Sequence, residues 1–86
     1  MLQLKIVSPE RVEFDGSVER VVVPGTLGSF EILTNHAPII SSLEKGRVEY
    51  LTEEGLAKLE ILGGFVEVKK NQVNLCVEVS EEENAE

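Results

Sequence analysis

His36 and Cys76 are the only histidine and the only cysteine in the chain, and they are the first residues to ask for chemistry. A histidine can serve as a general base when a second group orients it and a nucleophile lies within reach. The hydroxyls nearest to His36 in sequence are Thr34 and Ser41. Neither stands in a pattern that marks a nucleophile, so a structural or interface role is the better reading of His36. Cys76 shares the Asn74/Glu78 face of an alternating segment and has no basic run beside it in sequence. It reads as a small packed thiol rather than a reactive one. With one cysteine, neither an internal disulfide nor a cysteine metal site can form.

Four further segments invite a chemical reading. Pro24-Gly25-Thr26-Leu27-Gly28-Ser29 suggests a phosphate loop but lacks the Gly-Lys-Ser/Thr ending, and a strand pattern rather than a helix follows it. Phosphate cradles use a helix N-terminus, so these are turn glycines. Lys69-Lys70 beside Asn71 suggests the lysine-bearing turn of a lipoyl or biotinyl carrier, a class this chain resembles in size, acidity and β content. The lysines are not centred as in the carriers' motif, and two solvated charges are the simpler account. The paired carboxylates Glu53-Glu54, and those of the C-terminal tail, lie in turn-like or terminal segments where nothing shields them, so an acid/base pair is not expected there.

The elements that position these residues are strands. Residues 2–7 alternate apolar and polar and end before Pro9. A short strand over 11–14 stops at the Asp15-Gly16 turn, and 18–23 runs to Pro24-Gly25. Residues 28–33 and 39–43 follow, separated by the irregular Thr34-Asn35-His36-Ala37-Pro38. Residues 47–52 and 56–62 make a hairpin about Glu53-Glu54-Gly55. Gly63-Gly64 interrupts the run as a bulge, bend or close approach. Residues 65–69 continue it, Lys70-Asn71 makes a tight turn, and 73–79 alternate again. About nine short strands with no long helical period indicate an all-β sandwich or barrel, its core holding Leu4, Ile6, Val21, Val23, Leu59, Ile61, Val73, Leu75 and Val77.

Composition narrows the function. The formal net charge is −8, and five of the sixteen acidic residues fall in the last nine positions. The remaining eleven acids face eight bases, a balance of −3. No basic patch and no Trp are present to hold phosphates or stack bases, so nucleic-acid binding is not expected. The N-terminus does not read as a signal peptide, and no apolar run approaches the ~18 residues of a membrane span. A soluble protein in a reducing cytosol is expected. Ser80-Glu81-Glu82-Glu83 has the form of a helix-capping box, but too few residues follow to sustain a helix.

Four segments in order resemble the N-terminal domain of the epsilon subunit of F-type ATP synthases. They are Leu4-Lys5-Ile6-Val7-Ser8-Pro9-Glu10 with Phe14-Asp15-Gly16; Val23-Pro24-Gly25 with Gly28-Ser29-Phe30-Glu31-Ile32-Leu33; Asn35-His36-Ala37-Pro38-Ile39 with Leu43 and Gly46-Arg47-Val48; and Leu62-Gly63-Gly64-Phe65-Val66-Glu67-Val68 with Asn71-Gln72-Val73. The resemblance implies a flattened ten-stranded antiparallel sandwich over 1–79, with 80–86 as a short acidic tail. It implies a rotor subunit of the central stalk, without catalytic residues, metal or cofactor. Such a subunit holds gamma on the membrane c-ring and so couples ion flow to ATP synthesis. Ser8, His36 and Ser41 would face gamma, on one face of the domain. Thr26, Leu27, Gly28, Ser29, Phe30 and Glu31 would face the c-ring, with Ser29 standing where the family often carries an acid. The family's inhibitory two-helix C-terminal hairpin would be absent from this sequence. The implied location is peripheral, on the cytoplasmic face of the inner (plasma) membrane, without insertion into it. In isolation the chain would be monomeric.

Overall fold

The structure, a computed structural model, describes residues 1–80. These form eight strands: β1 (Leu2–Val7), β2 (Val12–Val18), β3 (Arg20–Gly25), β4 (Gly28–Leu33), β5 (Ile39–Leu43), β6 (Gly46–Thr52), β7 (Gly55–Lys69) and β8 (Gln72–Val79). One layer runs β2-β1-β8-β7-β5 and the other β4-β3-β6-β7. The 15-residue β7 belongs to both. Its first half pairs with β6 from Gly55 to Ile61, and its second half pairs with β5 and β8. At the opposite margin β3 meets β5 through Gly25 and Leu43. The Thr26 and Glu44 amides donate to the Ser42 and Pro24 carbonyls at 3.1 and 2.9 Å beside that bridge. The resulting body is flattened, 37 × 30 × 20 Å.

The core lies between the layers and follows from the period-2 alternation of the strands. Leu2, Leu4 and Ile6 of β1 point inward beside Val73, Leu75 and Val77 of β8, and meet Val21, Val23, Ile32 and Val48 from the other layer. All nine residues expected in the core are buried except Leu59, which is half-buried and packs on its margin. Each fully buried aliphatic side chain contributes about 1.5–3 kcal/mol.

The eight strands correct the counts of nine and ten, and the reason lies in β7. Gly63-Gly64 forms a bulge, as expected, but within one continuous strand: Ile61 pairs with Val79 and Gly63 with Glu78. One residue is extra, and the strand bends from one layer to the other without breaking. Gly64 has φ 145°, and a Cβ there would overlap the Cys76 carbonyl oxygen and lie 2.8 Å from Val77 Cα. Asp15-Gly16 is likewise not a turn. β2 runs through it, with Lys5 opposite Asp15 and Leu4 opposite Gly16, and the Phe14 ring fills the space a side chain at Gly16 would take.

The all-antiparallel expectation also needs correcting. β1 and β8 pair in parallel, from Gln3↔Gln72 to Val7↔Cys76. They come from opposite ends of the described chain, so no hairpin fixes their relative direction. The β3–β4 turn falls one step later than expected: Pro24 and Gly25 are buried within β3, and Thr26-Leu27 make the two-residue loop. The Lys70-Asn71 turn is as expected, with φ 52° and 64°. The capping-box residues Glu81-Glu82-Glu83 lie outside the described residues.

Candidate functional site

Ser8 closes β1 and is half-buried. Its amide donates to the Arg11 carbonyl at 2.9 Å, and its hydroxyl lies 2.9 Å from Glu13 Oε2 and 3.2 Å from the same carbonyl. The Arg11 amide donates back to the hydroxyl at 3.3 Å. Ser8 therefore shapes the β1–β2 connection, and this accounts for a small hydroxyl side chain before Pro9.

His36 sits in the passage from β4, the edge of one layer, to β5, the edge of the other. Its amide donates to the Leu33 carbonyl at 3.0 Å, and its Nδ1 donates to the Ala37 carbonyl at 2.7 Å. The Ser41 hydroxyl turns to the Ser42 carbonyl at 3.2 Å rather than to the imidazole. The loop is held from outside by Asn71: the Asn35 amide donates to Asn71 Oδ1 at 2.6 Å, and Asn71 Nδ2 donates to Asn35 Oδ1 at 3.3 Å. His36 is half-buried.

Ser41 stands opposite Val66 in the β5–β7 ladder, so it shares the core-facing side with that residue. It lines a recess of about 430 Å³ together with Leu27, Gly28, Ser29, Phe30 and Ile40. The structure thus brings Ser41 to the β3–β4 hairpin and not to Ser8. Ser8 lines a different recess, of about 490 Å³, with Val7, Pro9, Phe65, Cys76 and Val77. Ser8, His36 and Ser41 all border the layer that contains β1, β8, β7 and β5, but they do not cluster.

The β3–β4 hairpin is tied to β5 at its turn by the Thr26 contacts with Ser42. Gly25 pairs with Gly28 across the two-residue loop, and Gly28 takes φ 131°. Thr26 Oγ1 lies 3.0 Å from Ser42 Oγ. Phe30 packs on the core margin, while Leu27 at the tip is fully solvent-exposed, at 103%. Ser29 and Glu31 face outward on β4, and Glu31 pairs with Arg20 at 3.3 Å. A fully exposed leucine on a pinned two-residue turn is the most conspicuous apolar feature of this surface.

Sequence reasoning passed over the outer face of the β1-β8-β7-β5 layer. Val7, Cys76, Phe65 and Ser42 form one row across it, since Val7 pairs with Cys76, Cys76 with Phe65 and Phe65 with Ser42. Phe65 is 48% exposed, and Ile40, diagonal to it, 74%. The signal was available: Phe65 is apolar yet out of phase with buried Val66 and Val68, and Ile40 is out of phase with Ile39 and Leu43. Among the described residues no group of three or more His, Cys, Asp and Glu could hold a metal ion. None of the described residues forms a helix long and apolar enough to cross a membrane.

The architecture defines a class: small all-β sandwiches that present pinned edges and turns. Residues 1–83 match the family model described as "ATP synthase, Delta/Epsilon chain, beta-sandwich domain", and the chain belongs to that family. The ATP synthase epsilon chain of Leptospira borgpetersenii serovar Hardjo-bovis is 40% identical over 77 residues, covering 90% of this chain and 61% of that one. That of a Synechococcus species is 32% identical over 81 residues, covering 94% and 59%. The chain therefore spans about three fifths of the length of these relatives. A chain in the Euglena gracilis mitochondrial ATP synthase structure (OSCP/F1/c-ring) shares the fold with TM-score 0.82 and 20% identity, over 98% of this chain and 59% of that one. A chain in the Tetrahymena thermophila mitochondrial ATP synthase central stalk/c-ring structure does so with TM-score 0.74 and 18% identity, over 90% and 63%.

Proposed function

We propose that this domain is the sandwich portion of a central-stalk rotor subunit of an F-type ATP synthase, holding gamma on the c-ring so that ion-driven rotation reaches the catalytic head. Its work is mechanical: it transmits torque and catalyses nothing. The observation that carries the reading is the family match over residues 1–83, spanning every strand of the fold. The fold likeness to chains in central stalk and c-ring structures supports it.

Torque transmission needs a stiff body with two separate contacts. The shared strand β7 and the β3–β5 bridge tie the layers together at both margins, which supplies the stiffness. On this reading residues 1–79 form the unit, Ser8, His36 and Ser41 border the gamma contact, and the hairpin 26–31 meets the c-ring. The subunit then sits peripherally at the cytoplasmic face of the membrane. Titration calorimetry with the gamma subunit of the same organism tests the reading. Binding by the wild-type chain, weakened at least tenfold in His36→Glu and Ser41→Glu, supports it; no binding, or binding indifferent to both changes, overturns the assignment.

A further inference from the structure

We propose that Asn71, on the β7–β8 hairpin, is a positioning residue that holds the His36 loop in its binding shape; this rests on the reading of His36 as a gamma-facing residue. The loop over 34–38 crosses between layers, where no strand ladder can fix it. Instead it is fixed by a side chain 36 residues away, through the 2.6 Å bond from the Asn35 amide to Asn71 Oδ1 and the 3.3 Å return bond from Asn71 Nδ2. Both asparagines have left-handed backbone, φ 70° and 64°. Asn tolerates that region better than most residues and can also hydrogen-bond locally, so one residue type meets both needs at each end of the clamp. The Asn71 carbonyl accepts the Gln3 amide at 2.9 Å, which seats the hairpin against β1. The chain of contacts runs β1 to Asn71 to Asn35 to His36, whose own amide is then turned back onto Leu33.

These bonds are exposed, and exposed hydrogen bonds add little to global stability. Their effect is on the ordering cost of presenting His36, which falls on the binding step if the loop is loose. Asn71→Gly is the informative change, because Gly takes the same positive φ and keeps the turn while deleting the side chain. Asn71→Asp keeps the acceptor for the Asn35 amide and replaces the donor with a charged acceptor oxygen, which Asn35 can meet by turning its Nδ2 toward it.

The test combines amide hydrogen exchange at Asn35 with calorimetry against the gamma subunit. In Asn71→Gly we expect the Asn35 amide to lose its protection, the melting temperature to hold, and gamma affinity to fall about five- to tenfold. Asn71→Asp should restore most of that loss. An Asn35 amide that stays protected in Asn71→Gly overturns the clamp. Wild-type affinity in Asn71→Gly, with weakened binding in His36→Glu, overturns the positioning role and leaves the His36 contact standing. Wild-type affinity in both removes the contact and the positioning role with it.

Discussion

The Phe14 and Tyr50 rings meet with centroids 4.7 Å apart and planes inclined at 50°. Phe14 belongs to β2 and Tyr50 to β6, so this tilted pair joins the two layers where no ladder does. Such pairs add about 0.5–1.5 kcal/mol beyond the area they bury. Tyr50 is buried, and its phenol pKa is raised above 10.0, first by desolvation and then by the nearby charge of Glu13.

That shift has a sign. The folded state holds the phenolic proton more tightly than the unfolded chain, so the contribution is fully present below pH about 10 and is lost as pH rises through the folded value. Wild type should therefore lose stability on alkalinisation more steeply than Tyr50→Phe. Urea unfolding between pH 8 and 11 measures the two slopes. Equal slopes above pH 10 would show that Tyr50 ionises freely in the fold.

Gly63 and Gly64 are adjacent, yet only one of them is irreplaceable. At Gly63 an added Cβ would meet nothing nearer than the Leu43 carbonyl oxygen at 3.6 Å. At Gly64 it would collide with the β8 backbone at Cys76 and Val77, on a backbone with φ 145°. Gly64→Ala should cost about 3 kcal/mol or more, and Gly63→Ala about 1 kcal/mol or less. Thermal melts of the two variants decide it, and comparable losses would remove the bulge as the reason for the glycine pair.

The same pair marks how far the sequence can be read. The alternation of β1 and β8 was legible, and with it eight of the nine core positions, because period 2 needs no tertiary information. The bulge at Gly63-Gly64 was legible too; that the residues on either side of it count as one strand shared by both layers was not. Whether Gly63-Gly64 ends a strand or bends it depends on Cys76 and Val77 lying against it, a contact between distant parts of the chain. Asp15-Gly16 misled for a similar reason: Lys5 and the Phe14 ring complete a strand that local propensity would end. At the site, the loop around His36 was legible as an irregular stretch between strands, but its attachment to Asn71 was not, since nothing local joins positions 35 and 71. The separation of Ser8 from Ser41 depends on the order β1-β8-β7-β5, which short motifs do not encode.

Phe65 gives a separate test of the outer face. Its ring is about half exposed above the row of Val7 and Cys76, so Phe65→Ser should lower stability by no more than about 1 kcal/mol. If this face meets gamma, the same change should weaken gamma binding at least tenfold in calorimetry, since half-exposed aromatics anchor interfaces. Unchanged affinity would confine the gamma contact to the margins of the layer.

Leu27 allows stability and binding to be separated cleanly. Its side chain is fully exposed, so Leu27→Asp removes no folded contact. The turn beneath it is held by the Gly25–Gly28 pair, by the Thr26 amide on the Ser42 carbonyl at 3.1 Å, and by Thr26 Oγ1 beside Ser42 Oγ at 3.0 Å. None of these involves the residue 27 side chain, and an exposed turn substitution of this kind changes stability by less than about 0.5 kcal/mol. The backbone that carries Leu27 is already tied down, so burying this apolar side chain on a partner surface would cost little backbone ordering. A charge at the same point would have to be desolvated on contact, which opposes binding. On the proposed function, Leu27→Asp should therefore leave the melting temperature unchanged and reduce co-purification of the chain, bound to gamma, with detergent-solubilised c-ring. Full retention on the ring, with an unchanged melting temperature, would overturn the ring contact proposed for the hairpin tip.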